Sequence, residues 1–324
     1  MINELLNGFY HLDLPYPRHP LRNINVYLVK GKERSILIDT GIDIEETHKT
    51  LMDDLKKLGV SPEKLDFSLT HGHRDHFGGL SLIAREGATL YMTRTDVATM
   101  IETPGMWQTR INAAPRHGFP ESVVRAAMAN PPYSPQFTDN HRFHYLKEND
   151  ILNVGNLEFR CIETPGHSKG HMCLYEPESK VLVTGDHVLT DVSPNVSCWS
   201  DNEDPLSNYL TSLDKVYKLD VRQVLPAHRR LFSDLKARVN ELKEHHKIRA
   251  EEAVNILRKK GPLNAYHIAL LMTWDIPYPW EQIPVWQKFS AVGETIAHLN
   301  YLITHGRVSR KVGAKETVFS LKAS

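Results

Sequence analysis

Short apolar runs separated by polar, turn-forming residues are the first pattern in this chain. The runs Phe9–Leu12, Val26–Val29 and Ser35–Asp39 have the length and the apolar content of buried strands, and they are predicted to open the fold. Longer amphipathic stretches lie between later runs. Strands that alternate with such stretches indicate a layered arrangement of helices and sheets.

The first amphipathic stretch has the features of a capped helix. Asp43 is followed three residues later by Glu46, which is the spacing of a capping box with Asp43 at the N-cap. The predicted helix reaches about Leu58, and Gly59 is expected to end it.

Four further apolar runs share one feature, which is a ligand-type side chain placed after turn-forming residues at the end of the run. They are Leu65–Thr70 before His71, Leu157–Glu163 before His167, Val181–Thr184 before Asp186, and Val221–Leu225 before His228. The recurrence predicts that one rim of a pair of sheets collects polar side chains from several loops.

The stretch from His71 to His76 is the densest group of these side chains. It contains three imidazoles and one carboxylate within six residues, in the order His71-Gly72-His73-Arg74-Asp75-His76. Imidazole nitrogens and carboxylate oxygens are common ligands of divalent transition metals. The spacing allows His71 and His73 to hold one ion while Asp75 and His76 reach a second. The alternative is a set of ordinary buried histidines, but each one without a hydrogen-bond partner would cost about 1–3 kcal/mol.

Taken together, these motifs resemble those of the metallo-β-lactamase superfamily over roughly residues 8–230. The segments that carry the resemblance, in the family's order, are Leu37–Gly41, Thr70–His76, Thr164–His167, Gly185–Asp186 and Pro226–His228. The resemblance implies an α+β fold, a four-layer αββα sandwich. One departure is Arg229, because many relatives have a glycine directly after the last histidine.

The ligand set that the resemblance implies is divided between two metal ions. It consists of His71, His73 and His167 on the first ion, Asp75, His76 and His228 on the second, and Asp186 as the bridge. The resemblance also suggests that Asp39 braces the histidine loop from behind, a common role for a carboxylate next to a metal-bound imidazole.

The chemistry expected from such a site is hydrolysis. Two metal ions can hold a bridging water and lower its pKa from about 15.7 towards 7, which supplies hydroxide at neutral pH. Asp75 is the candidate catalytic residue, because it can orient the hydroxide, take its proton and protonate the leaving group. Zinc fits the nitrogen-rich set best, and iron or manganese are the alternatives. Oxygen-reducing di-iron chemistry is less favoured, because the redox branch of the superfamily resembles H-x-E-x-D where this chain has His73.

Several other polar residues stay outside the predicted ligand set. His171 and His187 have about equal claims to a structural and to a functional role. Asn195 and Trp199 follow Asp186 closely, but ordinary loop packing is favoured for both, and no substrate-binding residue is assigned. The remaining histidines without ligand spacing are interpreted as structural: His117, His141, His144, His245 and His246.

The pattern changes after His228, which predicts two domains. We expect a catalytic domain over residues 1–238 and a second domain over residues 239–324. The predicted elements of the C-terminal part are helices over Ser233–Lys260, Leu263–Trp274 and Val285–Thr304, and a hairpin formed by Arg307–Lys311 and Thr317–Leu321. Their order is similar to a winged helix, and it resembles the module that follows the catalytic domain in the LACTB2-like branch of the superfamily.

Residues 100–145 interrupt the alternation of strands and helices. They contain six prolines among several aromatic residues, and a stretch of this length is usually functional or disordered. The aromatic content argues against disorder. We interpret the stretch as a partly helical insert, with a cover over the metal site and a packing or dimer contact as equal alternatives.

Composition limits the partners and the compartment. Lys plus Arg equals Asp plus Glu, at 39 each, so the overall charge favours neither a nucleic acid nor a membrane. Residues 241–324 carry 12 Lys or Arg against 8 Asp or Glu, an excess too small to favour a nucleic acid. Three cysteines without a C-x-x-C pair, no visible signal peptide and no apolar run of 18 residues predict a cytoplasmic protein.

Three functions are consistent with these observations. The favoured one is a hydrolase of a small ester, thioester or lactone. The second is a phosphodiesterase or single-strand endoribonuclease, which the LACTB2-like resemblance implies. The third is a non-enzymatic protein that binds a nucleic acid or another partner, and the complete ligand set argues against it. A small molecule is therefore the expected partner, and a homodimer remains open.

Overall fold

The computed structural model describes residues 1–17, 19–131 and 142–322, except for the side chains of residues 102–104. Contacts within the chain separate two compact units. The first unit consists of Met1–Glu102, Pro135–Pro194 and Ser212–Val239, and the second of Thr103–Ser134, Asn195–Thr211 and Asn240–Ser324, each as far as its residues are described.

The first unit contains a seven-stranded sheet in which the strands follow each other in chain order. The strands are β1 (Ile2–Leu6), β2 (Phe9–Pro15), β3 (Asn23–Val29), β4 (Ser35–Ile38), β5 (Leu65–Ser68), β6 (Thr89–Thr93) and β7 (Arg142–Leu146). Strands β1 to β4 pair antiparallel, and β4 to β7 pair parallel.

The predicted strands over residues 9–12, 26–29 and 35–39 are confirmed. The prediction that they open the fold was wrong, because β1 precedes them. This edge strand exposes Asn3 and Glu4 and so lacks a clear apolar pattern.

The second sheet of this unit has five strands in the order β12, β11, β10, β9 and β8. Their bounds are β8 (Ile151–Val154), β9 (Leu157–Glu163), β10 (Met172–Glu176), β11 (Val181–Gly185) and β12 (Gln223–Pro226). Strands β9 and β11 are both antiparallel to β10, and β12 is parallel to β11. The carboxyl ends of β9, β11 and β12 therefore lie at one edge of the sheet.

Two apolar cores hold these layers together. Side chains from both sheets, among them Phe9, Tyr27, Phe159 and Leu225, form one continuous cluster of buried residues. A second cluster joins the seven-stranded sheet to its helices and includes Leu51 and Leu55. Burying each such side chain contributes about 1.5–3 kcal/mol. Mixed helices and sheets of this kind agree with the expected fold.

The helices alternate with the strands, as the sequence predicts. They are α1 (Glu45–Lys57), α2 (Arg74–Phe77), α3 (Leu80–Ile83), α4 (Arg94–Ala113), α5 (Glu121–Ala129), α6 (Pro205–Tyr217), α7 (Leu235–Lys260), α8 (Ala265–Leu271) and α9 (Val285–Thr304), with 3-10 turns at Pro62–Lys64, Ala114–His117 and Trp280–Gln282. None of the helices in the described part of the chain is long and apolar enough to cross a membrane.

The capping box predicted at Asp43 was wrong. The N-cap of α1 is Ile44, and it makes no side-chain capping bond. Asp43 instead accepts a hydrogen bond of 2.6 Å from Nε of Arg74 in α2. A charge-assisted bond of this kind is stronger than a neutral capping bond, which explains the exchange of partners. The predicted end of α1 is confirmed, since Leu58 is its C-cap and Gly59 has a φ of 68°.

The second unit contains the helical parts of the predicted insert. Within this unit, Phe289 of α9 packs against Trp107 and Phe119, with ring centroids 4.7 and 4.5 Å apart. The insert is therefore partly helical, as predicted. His141 and the other insert residues in 132–141 lie outside the described residues.

The C-terminal elements lie within a few residues of the bounds that the sequence predicts. Helix α9 has the predicted residues, α7 begins two residues after the predicted start, and α8 is shorter than predicted. The hairpin pairs β13 (Val308–Val312) antiparallel with β14 (Thr317–Leu321). A domain boundary at residue 238 stays a prediction.

Candidate metal centre

Strand ends at one edge of the two sheets supply the predicted ligands. His71 follows β5, His167 lies in the loop after β9, Asp186 follows β11 directly, and His228 follows β12. His73 is the N-cap of α2, whose first turn contains Asp75 and His76. The short helix turns these last two side chains towards the same place as His71. All seven predicted ligands lie in the first unit, and the structure brings all seven together.

The first group of ligands consists of His71, His73 and His167. The Nε2 atom of His71 lies 3.0 Å from Nδ1 of His73 and 3.2 Å from Nε2 of His167. The remaining pair, Nδ1 of His73 and Nε2 of His167, is 2.9 Å apart. In a tetrahedral site with zinc–nitrogen bonds of 2.0–2.1 Å, neighbouring nitrogens lie about 3.3 Å apart. The three nitrogens therefore have nearly the spacing of three zinc ligands.

The second group consists of Asp75, His76 and His228. The Nε2 atom of His228 is 3.3 Å from Oδ2 of Asp75, and Nε2 of His76 is 3.8 Å from Oδ1 of Asp75. Both imidazoles are fully buried, and neither Nε2 atom has a hydrogen-bond partner within the described residues. Two buried nitrogens that face a carboxylate without hydrogen-bonding it fit a cation between them.

Asp186 lies between the two groups. Its Oδ2 atom is 3.6 Å from Nε2 of His167 and 3.7 Å from Nε2 of His76, and its Oδ1 atom is 3.4 Å from Nε2 of His228. This carboxylate faces ligands of both groups, as expected of a bridge. The buried Oδ1 atom also lacks a hydrogen-bond partner in the described part of the chain.

Hydrogen bonds on the far side of three imidazoles aim their Nε2 atoms into the centre. Nδ1 of His76 lies 2.7 Å from Oδ2 of Asp39, and Nδ1 of His228 lies 2.8 Å from the carbonyl of Asn23. Nδ1 of His71 lies 3.1 Å from the hydroxyl of Thr70. Since a carboxylate and a carbonyl only accept, His76 and His228 each carry a proton on Nδ1, which leaves Nε2 as the atom that can bind a metal.

Asp39 lies where the sequence predicts, behind the histidine loop. Besides His76, it accepts a 2.8 Å hydrogen bond from the backbone N–H of Thr70, the residue before His71. Its φ of 58° is in the left-handed region, which costs a residue other than glycine about 1–3 kcal/mol. The fold tolerates this strain at a residue that fixes both the loop and one imidazole.

The pKa values of the imidazoles differ between the two groups of ligands. Burial, and then the neighbouring His76, lowers the pKa of His71 well below its usual value. Burial, and then His167, lowers the pKa of His73 to about 3. Burial alone would also lower the pKa of His76, but Asp39 and the other nearby carboxylates outweigh it and raise this pKa well above its usual value. His71 and His73 are therefore neutral at neutral pH, while the surroundings of His76 attract positive charge.

The pKa values of the two carboxylates, Asp75 and Asp186, are both lowered by the histidines around them. Burial alone would raise the pKa of Asp75, but His76 and His228 outweigh it and lower this pKa below its usual value. The same two histidines lower the pKa of Asp186 well below its usual value, again against the effect of burial. Both carboxylates are thus charged at neutral pH, as metal ligands must be.

Two histidines outside the predicted ligand set lie behind the centre. Nε2 of His171 accepts a 3.2 Å hydrogen bond from the backbone N–H of Asp186, and its Nδ1 is 2.8 Å from the hydroxyl of Thr164. His171 therefore positions the loop of Asp186. His187 is fully buried, and burial lowers its pKa to about 3.

The two loop residues considered as substrate contacts are packed within the second unit. Asn195 donates a 2.9 Å hydrogen bond to Glu294, and the ring of Trp199 stacks on Phe289 with centroids 5.4 Å apart. Both observations agree with the ordinary loop packing that the sequence analysis favours.

Sequence reasoning missed three residues of the first unit that contact the centre. Asn23 holds His228, as described above. Tyr16 stacks on the ring of His228 at 6.3 Å, and burial followed by the charge of Asp75 raises the pKa of this phenol. Asp96 is fully buried against the two loops that carry the first group of ligands. Asn23 begins β3, Tyr16 follows β2 and Asp96 lies in the first turn of α4, and an isolated residue at such a position carries no distinctive sequence signal.

Comparisons with known proteins identify a family and several relatives. A family model described as "Metallo-beta-lactamase superfamily" matches residues 19–228. The chain is 27% identical over 227 residues to the acyl-coenzyme A thioesterase MBLAC2 of Gallus gallus, covering 64% of this chain and 73% of that protein. It is 26% identical over 296 residues to "Probable metallo-hydrolase YqjP" of Bacillus subtilis (strain 168), covering 86% and 88%. A metallo-beta-lactamase family protein of Thermus thermophilus has a similar structure, with a TM-score of 0.80, 29% identity, and coverage of 98% of this chain and 100% of that one.

Proposed function

The chain belongs to the metallo-beta-lactamase superfamily, and we propose that it is a dinuclear metal hydrolase that cleaves a small acyl thioester. The observation that carries the proposal is the convergence of five histidines and two aspartates, grouped in three overlapping sets whose ligand atoms lie within 4.8 Å of one another. Seven ligand-type side chains from four strand ends are more than one ion needs. They suit two ions that share Asp186.

The proposed metal is zinc. Five nitrogens and two carboxylates form a nitrogen-rich set, and the nearly tetrahedral spacing of the first group favours zinc over larger ions that prefer oxygen. Iron and manganese are the alternatives, since imidazole also binds them. When bound, divalent ions of this kind lower the pKa of water from about 15.7 towards 7 and polarise a carbonyl group.

Asp75 is the proposed catalytic residue. Its side chain is 17% exposed, whereas the side chain of His228 beside it is fully buried, so the carboxylate can meet a bound substrate. Its charged state allows it to orient a water molecule and to accept a proton from it. The ring of Tyr16, stacked on His228, is proposed to form a wall of the substrate site on the same side.

The thioester is proposed over the ester and the lactone for a chemical reason and a comparative one. The lowered pKa of Asp75 keeps its carboxylate charged at neutral pH, so the protonated form that could donate a proton to a leaving group is scarce. A thiol, with a pKa of about 8.5, leaves as a thiolate with less help from an acid than an alcohol needs. The acyl-coenzyme A thioesterase of Gallus gallus among the relatives agrees with this choice.

The nucleic-acid alternatives receive less support. Of the basic residues near the hairpin, Arg307 forms a two-pronged ion pair with Glu251. Arg310 lies 3.2 Å from Asp201. Two of the charges that would meet a phosphate backbone are therefore already neutralised within the second unit. We propose that residues 239–324 form a winged-helix-like domain used for packing rather than for binding RNA.

The decisive experiment combines metal analysis with a panel of substrates. The purified protein is loaded with Zn²⁺, its bound metal is measured, and it is offered an acyl-coenzyme A, a lactone, a phosphodiester and a short single-stranded RNA. We expect two metal ions per chain, and release of free thiol from the acyl-coenzyme A as the fastest reaction. Cleavage of the phosphodiester or the RNA alone, with two ions bound, would move the assignment to the second function. Absence of bound metal would remove the dinuclear mechanism.

A further inference from the structure

Asp96 connects the two loops that carry the first group of ligands. It lies in the first turn of α4, it is fully buried, and its carboxylate accepts three hydrogen bonds. One comes from the backbone N–H of Gly72, at 3.0 Å. The other two come from the hydroxyl of Ser168 at 2.6 Å and the backbone N–H of Gly170 at 2.7 Å.

Each donor is a close neighbour of a proposed ligand. Gly72 lies between His71 and His73, and Ser168 directly follows His167. A single carboxylate thus fixes the backbone positions from which all three imidazoles of the first group project. The second group has its own supports, because Asp39 holds His76 and the carbonyl of Asn23 holds His228. The three bonds that Asp96 accepts all come from the loops of the first group.

Close packing shows that both loops are pressed against this part of α4. A Cβ atom on Gly170 would lie 2.2 Å from Oγ1 of Thr93 and 2.9 Å from Oδ1 of Asp96. A Cβ atom on Gly72 would lie 2.9 Å from Cγ of Met100 and 3.0 Å from the carbonyl oxygen of Asp96. Thr93 adds a 2.8 Å hydrogen bond to the carbonyl of Gly170. The two glycines therefore bring the backbone N–H groups within reach of the carboxylate.

We propose that Asp96 is a positioning residue that holds His71, His73 and His167 in their metal-binding arrangement. This inference rests on the proposed function, because it assumes that the histidine cluster binds metal ions. Carboxylates behind metal ligands typically change metal affinity 10- to 100-fold when they are removed. The donors to Asp96 lie in the two loops that carry the first group, so we expect its effect to fall mainly on the ion that this group would hold.

Asp96→Asn is the sharpest test, because it changes the hydrogen bonds and hardly the size. The hydroxyl of Ser168 can turn to accept a bond from the new amide, but the N–H of Gly72 cannot, so it would face another donor. In the other amide orientation, the N–H of Gly170 loses its acceptor instead. Either way, one loop is released. Ser168→Ala is a milder second variant that leaves Asp96 in place. Asp53→Asn is the matched control, since Asp53 lies on the exposed side of α1 and its carboxylate pairs with Lys49.

The measurement is a competition titration of the metal-stripped full chain with Zn²⁺ and a chelator, repeated with Co²⁺ to follow the absorption of the bound ion. We expect Asp96→Asn to weaken one binding step 10- to 100-fold and to leave the other within about threefold. Ser168→Ala should weaken the same step less, and Asp53→Asn neither. A purely structural role would lower the unfolding temperature without separating the two steps.

Equal weakening of both steps, or no weakening in either variant, would overturn the role of Asp96. If Asp96→Asn does not fold, Ser168→Ala gives the same comparison alone. If the unaltered protein binds no Zn²⁺, the proposed function fails together with this inference. If it binds two ions and both variants bind them equally well, only the inference fails.

Discussion

Replacing Asp39 by asparagine tests how the fold fixes a proposed ligand. The carboxylate accepts a 2.7 Å bond from Nδ1 of His76 and a 2.8 Å bond from the N–H of Thr70. In Asp39→Asn, the amide oxygen can keep the bond to Thr70, so the amide nitrogen faces His76. That nitrogen only donates, and it therefore requires a lone pair on Nδ1 of His76. The proton of the imidazole moves to Nε2, which is the atom that faces Asp75 and Asp186.

The expected magnitude follows from the bond that is lost. A hydrogen bond to a charged group contributes about 1.5–3 kcal/mol, and a factor of ten in affinity corresponds to about 1.4 kcal/mol. Zn²⁺ affinity on the His76 side should therefore fall about 10- to 100-fold. The affinity on the His71 side should change less, because His71 Nδ1 contacts Thr70 rather than Asp39.

Thr70→Val is the complementary change. It removes the hydroxyl that contacts Asp39 at 2.9 Å and His71 Nδ1 at 3.1 Å, but it keeps the carboxylate and its bond to His76. We therefore expect Thr70→Val to weaken Zn²⁺ binding on the His71 side rather than on the His76 side. A chelator competition assay on both variants and on the unaltered protein measures the two affinities. Equal Zn²⁺ affinity in Asp39→Asn and in the unaltered protein would refute the argument, since the tautomer of His76 would then not depend on Asp39.

Three further predictions concern the cluster, its packing and the second unit. His73→Ala should abolish thioester hydrolysis and reduce bound metal, while the circular dichroism spectrum stays the same. The control His144→Ala, on the exposed side of β7, should change neither the activity, nor the bound metal, nor the spectrum. Gly170→Ala should lower the free energy of unfolding by more than about 2 kcal/mol through the close contact with Thr93. Gly105→Ala, where a Cβ atom would meet no atom of the described side chains within 4 Å, should raise this free energy by about 0.5–1 kcal/mol, and urea unfolding measures both changes. Burial lowers the pKa of His298 to about 4, so the unfolded chain takes up a proton first, and His298 contributes up to about 3 kcal/mol to the stability lost as the pH falls from about 6.5 towards 4. His298→Gln should reduce the slope of the stability profile in this range, to which other buried histidines such as His187 also contribute. An unchanged slope would contradict the assignment.

The sequence predicts which ligand-type side chains come together, because their signal is local. Four of the seven lie in one hexapeptide, and the other three each follow an apolar strand that could be located from its pattern. The long helix α9 could be predicted with its bounds, since an apolar residue on one face recurs over twenty positions. The edge strand β1 lacks such a pattern, because one side of it faces solvent.

What the sequence cannot predict depends on contacts between distant segments. Asp43 has the spacing of a helix cap, but its carboxylate accepts a hydrogen bond from Arg74, 31 residues later in the chain. The sequence predicts that the insert belongs to the catalytic domain, yet residues 103–131 pack within the unit that holds the C-terminal helices. Asp96 and Asn23 act on residues that only the folded sheets bring near them. In each case a contact with a residue distant in sequence determines which local structure forms, and a single sequence does not identify that residue.

The arrangement of the ligand atoms is unfavourable for a protein on its own, and this is the strongest physical argument for metal ions. Three imidazole nitrogens within 3.2 Å of one another cannot all be satisfied by protons, and the lowered pKa values of His71 and His73 show that burial works against protonating them. Two carboxylates face the same space. Chains normally avoid such conflicts in the interior, and they persist where function requires them. Cations would satisfy the nitrogen lone pairs and both carboxylates at once, which protons cannot do at neutral pH. Asp39, Asp96 and Asn23 are then understood as the part of the fold that holds this unfavourable arrangement in place.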